Sequence, residues 1–332
     1  MERSRAQRVY RFLTLLLAFV VALVGGAAVW GLSVFQGPGP LKADTDVVFP
    51  RGIDLGGISA RLQGGGVIER ADIFQIAVRV MGKSRHLKAG EFNFPARVSA
   101  QEVMEILLKG ETVVRRLTIP EGLLRSEVLE LLISAEGLEG QVPDGRGKEG
   151  QYLPDTYHYS FGDRREDVLK RMKDAMTHAL ESLWLSRDDD LPLQNPGEAL
   201  TLASIVEHET ALPTERAKIA GVFMNRLRQG MRLQSDPTVA YAVSGGGTPL
   251  GRALTRADLR FQHPYNTYTV AGLPPGPICN PGRDSIAAVM RPTKTDALYF
   301  VADGTGGHAF AKTLQEHLEN VARWRRVQRE RE

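Results

Sequence analysis

The sequence opens with a long apolar segment that carries no charge. Between Arg11 and Lys42 there is no charged residue, and the first two thirds of this stretch are almost wholly apolar. Because a helix needs about 20 apolar residues to cross a bilayer, the segment predicts one membrane-spanning helix over residues 12–32. The Gly-Pro-Gly-Pro run at 37–40 favours a break in the chain, so residues 33–46 are expected to form a linker.

Charges on either side of this segment predict its orientation. Four arginines and one glutamate precede it within residues 1–11, whereas both signs of charge follow it. Since cytoplasmic flanks are enriched in Lys and Arg, we expect a cytoplasmic tail, a single-pass anchor in the inner (cytoplasmic) membrane and a periplasmic body. A cleaved signal peptide is the alternative, but its apolar region usually has only about 7 to 15 residues.

The overall charge and the cysteine and histidine content exclude several classes of protein. The tail of residues 1–11 has a net charge of +3, which equals the +3 of the whole chain, so the exported body is formally neutral and no nucleic-acid partner is expected. Cys279 is the only cysteine, so the body has to fold without an internal disulfide. The seven histidines form no zinc-binding helical motif, and we expect neither a metal nor a cofactor.

A weak repeat follows the linker. An apolar residue precedes each of Pro50, Pro95 and Pro120, and apolar residues recur 3, 8 and 12 positions later. Because the last two offsets are one helical turn apart, each copy predicts a strand, a turn and a short helix. Ser99 and Glu102 have the spacing of a capping box ahead of the second helix.

The first copy of the repeat has a more specific resemblance. Residues 48–68, VFPRGIDLGGISARLQGGGVI, resemble a LysM module, and modules of this kind bind N-acetylated glycans. The resemblance implies a small LysM-like α/β subdomain over residues 47–115. The alternative is a scaffold without a binding role, because strand, turn and helix with these turn residues are a common combination.

A second, larger region extends over residues 116–328. Amphipathic stretches at 164–185 and 198–228 predict helices, and a closing helix is expected at 314–328. A short strand is expected at 297–302. We therefore predict an α+β body in which this larger domain is mainly helical with short strands.

One predicted helix contains a glutamate on its apolar side. The run 198–211 has helical composition, and Pro213 marks its expected end. Glu209 falls within an apolar stripe, whereas Glu207 points about 160° away from it. The stripe consists of Leu202, Ile205 and Val206. Only Glu209 is therefore expected to face the core.

The position of Glu209 predicts an unusual acidity. Loss of hydration raises the pKa of a carboxyl group, and the negative end of the helix dipole acts in the same direction. A carboxylic acid that stays protonated near neutral pH can donate a proton to the leaving oxygen of a glycosidic bond. The alternative is a glutamate that pairs with a nearby Arg or Lys.

Sequence motifs around this helix resemble a known family. The segment Ala203–Ala211 (ASIVEHETA), followed by Glu215-Arg216 and by residues 222–227 (VFMNRL), resembles the signature of the MltG/YceG-like endolytic murein transglycosylases. Further blocks of the chain resemble this family in the same order. They are residues 152–157, 230–238, 265–268, 272–276, 299–304 and 307–308.

The resemblance implies a fold and an activity. The larger domain is expected to be lysozyme-like and to cleave the MurNAc-GlcNAc bond of nascent peptidoglycan strands, which would terminate their elongation. Glu209 would act alone, first as the acid and then as the base that helps the 6-hydroxyl of the sugar to form a 1,6-anhydro end. Thr210 follows the acid here, where wider lysozyme-like transglycosylases have Ser. Peptidoglycan is the implied substrate, and peptidoglycan synthases are implied partners.

Further side chains are candidates for holding the sugar. An intramolecular attack requires a positioned substrate, so amide and phenol groups are expected at the cleft, first Tyr265 and Asn266, then Gln234 and Tyr268. Asp236 is a fifth candidate, although an Asp in this loop also suits a turn. The alternatives are that the tyrosines belong to the core and that Asn266 binds the backbone of its own loop.

Two other functions remain open from the sequence. A non-enzymatic, membrane-anchored scaffold could hold peptidoglycan through the repeats. A hydrolytic muramidase would need a second carboxylate, for which Glu207, Glu215 and Asp236 are conceivable. The direction of Glu207 on its helix disfavours it as a partner of Glu209.

Overall fold

The apolar N-terminal segment forms a single long helix. In the computed structural model, which describes residues 2–142 and 147–331, helix α1 extends over Glu2–Gln36. Its part Tyr10–Gln36 is long and apolar enough to span a membrane. The helix continues beyond the expected end at residue 32 because Phe35, at 1% exposure, packs into the first hydrophobic core.

The chain divides into two compact units. The first comprises Met1–Arg115 with Ser160–Gly162, and the second comprises Arg116–Tyr159 with Asp163–Glu332. Among the described residues, the first unit contains one cluster of buried apolar side chains, and the second contains two.

Short strands and helices alternate in the first unit. In chain order they are β1 (Thr45–Phe49), α2 (Leu55–Gly64), α3 (Ala71–Val80), β2 (Gly90–Phe94) and α4 (Ala100–Lys109). The two strands pair antiparallel, with Thr45 opposite Phe94 and Phe49 opposite Gly90. Three phenylalanine rings at the centre of this core come from the strands. They are Phe49, Phe92 and Phe94.

The structure confirms the repeat of strand, turn and helix. Helices α2 and α4 follow strands β1 and β2, and the third copy is β3 (Val114–Thr118) followed by α5 (Arg125–Ser134). The capping box is confirmed as well, because the Ser99 N–H donates to Glu102 Oε2 at 2.8 Å and the Glu102 N–H donates to Ser99 Oγ at 3.2 Å. The repeat gave no indication of α3.

Helices dominate the second unit. After β4 (Thr156–Ser160), which pairs with β3, come α6 (Arg165–Leu185), α7 (Pro196–Glu209), α8 (Pro213–Arg228), α9 (Asp236–Ser244) and α10 (Arg283–Met290). A hairpin of β5 (Tyr299–Ala302) and β6 (His308–Ala311) precedes the last helix, α11 (Leu314–Arg331). The expected mixture of helices and small sheets is confirmed.

Helix α7 lies at the centre of this unit. It packs against α6, α8, α9 and α10, and its residues from Thr201 to Val206 are all buried. The Asn195 side chain caps its start by accepting the Glu198 N–H at 3.0 Å. The helix ends at Glu209, earlier than the expected Ala211, and Pro213 begins α8, where a proline at the first helical position is favourable.

Candidate active site

Glu209 is the last residue of α7, and its carboxyl group is enclosed by protein. Burial raises the pKa of Glu209 to about 7, and the negative charge of Asp236 also raises it. The hydrogen bond from Ser235 and electrostatic interactions with His308 and Arg226 lower the pKa, but burial outweighs them. The residue keeps part of its surface accessible. About half of the Glu209 carboxyl groups are therefore protonated at neutral pH.

Ser235 holds the carboxyl group in place. Its hydroxyl donates to Glu209 Oε1 at 2.5 Å, and Ser235 itself is only 1% exposed. A chain of buried hydroxyls supports it, since the Ser235 N–H donates to Thr267 Oγ1 at 3.0 Å and that oxygen lies 2.8 Å from Thr238 Oγ1. Sequence reasoning missed Ser235, although it lies between two candidate residues of the same motif.

Gln234 precedes this serine in an unusual backbone conformation. Its φ of 50° lies in the left-handed region, which residues other than Gly adopt uncommonly. The Gln234 N–H donates to the Thr267 carbonyl at 3.2 Å, and its side chain is exposed. The left-handed residue turns the chain so that Gln234 faces solvent while Ser235 faces the acid.

Tyr268 and Asp236 form a pair near Glu209. The Tyr268 hydroxyl donates to Asp236 Oδ1 at 2.6 Å. Burial, together with the negative charge of Asp236, raises the pKa of Tyr268, so the phenol stays a hydrogen-bond donor. Asp236 is the first residue of α9 and does not form the expected turn, because an acidic residue followed by Pro237 suits the first turn of a helix.

The structure separates the roles of Tyr265 and Asn266. Tyr265 is partly exposed, and its ring packs 4.8 Å from that of Tyr241. Asn266 is 0% exposed; its amide donates to the Phe261 carbonyl at 2.8 Å, and its oxygen accepts the Tyr268 N–H at 2.9 Å. Asn266 thus holds the loop that carries Tyr268, and this conformation leaves it no surface for contact with a substrate.

The expectation that only Glu209 faces the core was wrong. The Glu207 side chain is only 6% exposed and lies 3.2 Å from Arg216, and it accepts the Gly282 N–H at 2.8 Å. Arg216 also lies 2.9 Å from Glu121. The expectation assumed one buried face, whereas neighbouring elements surround α7. The Glu207 carboxylate therefore forms a buried ion pair with Arg216, which suits a structural role.

Glu215, another conceivable second carboxylate, is also paired. It lies at the start of α8, and its Oε2 is 2.6 Å from His308 Nδ1, while its Oε1 accepts the His308 N–H at 3.0 Å. Sequence reasoning assigned no role to His308. Electrostatic interaction with His308 also lowers the pKa of Glu209.

A second glutamate of this unit also has a raised pKa. Burial raises the pKa of Glu149 to about 7. Its Oε1 accepts the Arg125 N–H at 2.6 Å and the Asn280 amide at 3.2 Å. These contacts hold the start of α5, and Glu149 therefore has the environment of a bracing residue.

A cleft of about 600 Å³ borders the site. Asp236 and Pro237 line it from the start of α9, and His208 lines it from the end of α7. Its walls are largely apolar. They include Leu123, Leu124, Tyr241, Leu250 and Leu254. The end of α7 and the start of α9 thus meet at an open groove with both polar and apolar surface. Glu209 lies beside this groove, where Ser235, the neighbour of Asp236, holds its carboxyl group.

The chain matches known proteins over most of its length. The model of the YceG-like family matches residues 47–323. The chain is 30% identical over 330 residues to an endolytic murein transglycosylase of Bacillus subtilis, covering 89% of each protein. It is 31% identical over 324 residues to the protein of that name from Streptococcus pneumoniae strain R6, covering 85% of this chain and 58% of the relative.

A solved structure is similar as well. A crystal structure of a YceG-like protein from Listeria monocytogenes has 30% sequence identity and a TM-score of 0.53, with coverage of 84% of this chain and 99% of that one. The family match includes nearly all of both units beyond α1. Together with the enclosed acid at the end of α7, these similarities show that the chain belongs to the YceG-like family.

Proposed function

We propose that this protein is an endolytic lytic transglycosylase of peptidoglycan and that Glu209 is its catalytic acid. The observation that carries the assignment is the enclosed carboxyl group at the end of α7, whose pKa is raised to about 7. The names of the Bacillus and Streptococcus relatives agree with the reaction class. Among the carboxyl groups discussed above, Glu209 combines a raised pKa with a nearby cleft and no ion pair.

The proposed reaction requires a single carboxyl group. Protonated Glu209 donates its proton to the oxygen that links MurNAc to GlcNAc, and the bond from the anomeric carbon to that oxygen breaks. The resulting carboxylate takes the proton of the 6-hydroxyl while that oxygen bonds to the anomeric carbon. The products are a GlcNAc end with a free hydroxyl and a 1,6-anhydro-MurNAc end, and the acid is regenerated.

The groups beside Glu209 would position the sugar. We propose that Gln234 and the pair of Tyr268 and Asp236 contact the strand, with Tyr265 at the edge of the cleft. Gln234 and Asp236 are exposed beside the buried Ser235, and Tyr268 keeps its proton because its pKa is raised. Near-attack geometry of this kind can account for a large part of the rate of an intramolecular step.

Hydrolysis is the alternative reaction at the same site. A water molecule activated by Asp236 would give a reducing MurNAc end in place of the anhydro end. Mass spectrometry of the soluble products distinguishes the two reactions, because the hydrolytic product is heavier by one water. We expect the anhydro product, and a purely reducing-end product would contradict the proposed mechanism.

Helix α1 supports a proposal for the location of the protein. We propose that α1 crosses the cytoplasmic membrane with its N-terminus in the cytoplasm, so that both units face the periplasm and meet nascent strands. The charge-free span with arginines before it supports this orientation.

We also propose that the first unit is a LysM-like module that holds the glycan and that peptidoglycan synthases are partners.

The rate of cleavage should fall as the pH rises through about 7. Glu209 has to be protonated to donate, and because its pKa is raised to about 7, the active form prevails below that pH and is lost above it. The rate of glycan cleavage at limiting substrate, measured from about pH 5 to 9, reports this titration in the free enzyme. A rate that is already low at pH 5 and does not fall as the pH rises through 7 would contradict the assignment. The Glu149→Gln variant should keep the same profile.

Replacing Ser235 with alanine should change the same profile. The lost hydrogen bond favours the carboxylate, so its removal raises the pKa of Glu209 further, and the alkaline limit should move up by about one pH unit. The maximal rate should fall several-fold because the carboxyl group loses its orientation. Ser285→Ala is a matched control, since this serine is also fully buried but its hydroxyl has no hydrogen-bond partner among the described residues. A profile that is the same in both variants would show that Ser235 does not tune the acid.

A further inference from the structure

Helix α3 of the first unit exposes an unusual amount of apolar surface. Ile76 is 59% exposed, Val80 82% and Met81 45%. Among the described residues of this unit outside α1, Val114 is the one other large apolar side chain with comparable exposure. The exposed residues are therefore concentrated on one short helix and its end. Ile76 and Val80 are one helical turn apart and share a face, and an exposed apolar patch commonly marks an interaction surface.

The patch lies on the side of α3 that points away from the core. Phe74 and Val78 are fully buried, and at about 100° per residue Ile76 and Val80 lie on the other flank of the helix. Ile73 lies between the two flanks and lines a cavity together with Ser33 of α1. The apolar stripe of α3 thus continues from the core, past α1, to the surface.

Contacts with α1 give the start of α3 a definite position along that helix. Helices α1 and α3 pack together, and the Arg70 guanidinium lies 5.3 Å from the centre of the Trp30 ring. Trp30 is in the last part of the apolar span and is 52% exposed. Because tryptophan near the end of a spanning helix favours the membrane surface, we expect the contact with Trp30 to place the start of α3 at the level of the lipid head groups.

The charges around the patch suit an anionic lipid surface. Residues 69–88 contain five Lys or Arg and two acidic residues. Arg79, Lys83 and Arg85 are exposed. Of the two acids, Asp72 is paired with Arg70 at 2.6 Å, and Glu69 is exposed. Apolar side chains flanked by cations are the pattern of helices that lie in the membrane interface.

We propose that α3 lies on the outer face of the membrane that α1 crosses, with Ile76, Val80 and Met81 inserted among the lipids and the cations at the head groups. The occupant of the patch is lipid because the stripe is continuous with the spanning helix through Ile73 and the Arg70 contact. The inference rests on the proposed anchoring by α1 and not on the proposed chemistry. It attaches the first unit to the membrane at two points, α1 and α3.

A lipid-quenching experiment on the full chain tests this proposal. An environment-sensitive fluorophore is attached to the new cysteine of the Val80→Cys variant. The labelled protein is then placed in nanodiscs of phosphatidylethanolamine and phosphatidylglycerol that contain nitroxide lipids. Labelling is selective because Cys279 is fully buried and its pKa is raised by burial. Val114→Cys is the control, an exposed valine of the same unit outside α3. We expect several-fold stronger quenching at position 80; equal quenching at the two positions, or none at position 80, would overturn the proposal.

A second measurement avoids the label. Trypsin cleavage after Lys83 and Arg85 should be several-fold slower for the native chain in nanodiscs than for an Ile76→Ser, Val80→Ser variant. In detergent the two proteins should be cleaved at similar rates, because both substituted residues are exposed and the fold does not depend on them. Equal rates in nanodiscs would contradict membrane docking. Since nitroxide lipids quench by contact, the pair of experiments also distinguishes lipid from a second copy of the chain.

Discussion

The Glu209→Gln variant is expected to cleave glycan strands about 10² to 10⁴ times more slowly than the native enzyme. Glutamine keeps the size of the side chain and can still accept the Ser235 hydroxyl, which lies 2.5 Å from Glu209 Oε1 in the native protein, but it has no proton to give to the leaving oxygen. The measurement is the release of anhydro-ended fragments from nascent peptidoglycan, analysed by liquid chromatography and mass spectrometry. Thermal unfolding should show that the variant is folded.

Glu207→Gln is the matched control on the same helix. Glu207 lies 3.2 Å from Arg216 in a buried ion pair, so its replacement should lower stability while the folded enzyme still cleaves. The opposite effects of two substitutions only two residues apart distinguish catalysis from packing. If Glu209→Gln released fragments as fast as the native enzyme, the catalytic assignment would be wrong and a glycan-binding scaffold would become the better interpretation.

Replacing Arg216 with methionine is expected to lower the free energy of unfolding by about 3–5 kcal/mol, because it leaves a buried carboxylate without its cation. The Arg216 side chain is 10% exposed and that of Glu207 6%, so solvent screens the pair little. Urea unfolding of the full chain in detergent, followed by circular dichroism, measures the change. The loss should appear in the unfolding of the second unit, which contains both residues.

An exposed ion pair provides the comparison for this experiment. Lys170 and Asp174 lie 3.0 Å apart, with side chains 73% and 52% exposed. Lys170→Met should therefore change the free energy of unfolding by at most about 1 kcal/mol. Equal effects of the two substitutions would mean that the pair of Arg216 and Glu207 contributes no more than a surface contact, and the structural role given to Glu207 would fail.

Local patterns in the sequence predicted local structure well. The spacing after three prolines predicted strand, turn and helix, and the side chains of Ser99 and Glu102 predicted a capping box, because each depends on contacts within a few residues. The amphipathic run ending near Glu209 likewise predicted α7 and the enclosure of its last carboxyl group. The strand Tyr299–Ala302 was found from its composition, but its partner β6 was not.

Contacts between distant residues could not be predicted in this way. Ser235 is 26 residues from Glu209 in sequence, and His308 is 93 residues from Glu215, so periodicity within one helix carries no information on either contact. The burial of Glu207 was missed for a related reason. A hydrophobic stripe indicates one packed face, whereas α7 has neighbours on several sides and a polar residue can be buried if a cation reaches it.

The loop around Asn266 shows a third limit. Asn266 was a candidate for substrate binding because it belongs to a family motif. A motif does not distinguish a side chain that touches a ligand from one that shapes the loop. The fully buried amide of Asn266 bonds to the backbone on both sides. A residue can therefore belong to the motif of a site because it holds the loop that carries Tyr268.

The four helices around α7 have a consequence for how a polymer is cut. Glu209 is the last residue of α7, and α6, α8, α9 and α10 pack against this helix. Its side chain therefore has little freedom to move toward a substrate. If Glu209 is the proton donor, as we propose, the glycan strand has to bend toward it, and the parts that can adjust are the sugar chain and the exposed loops. The exposed loops would then recognise the strand, whereas the rigid helix α7 would supply the group that cleaves its bond.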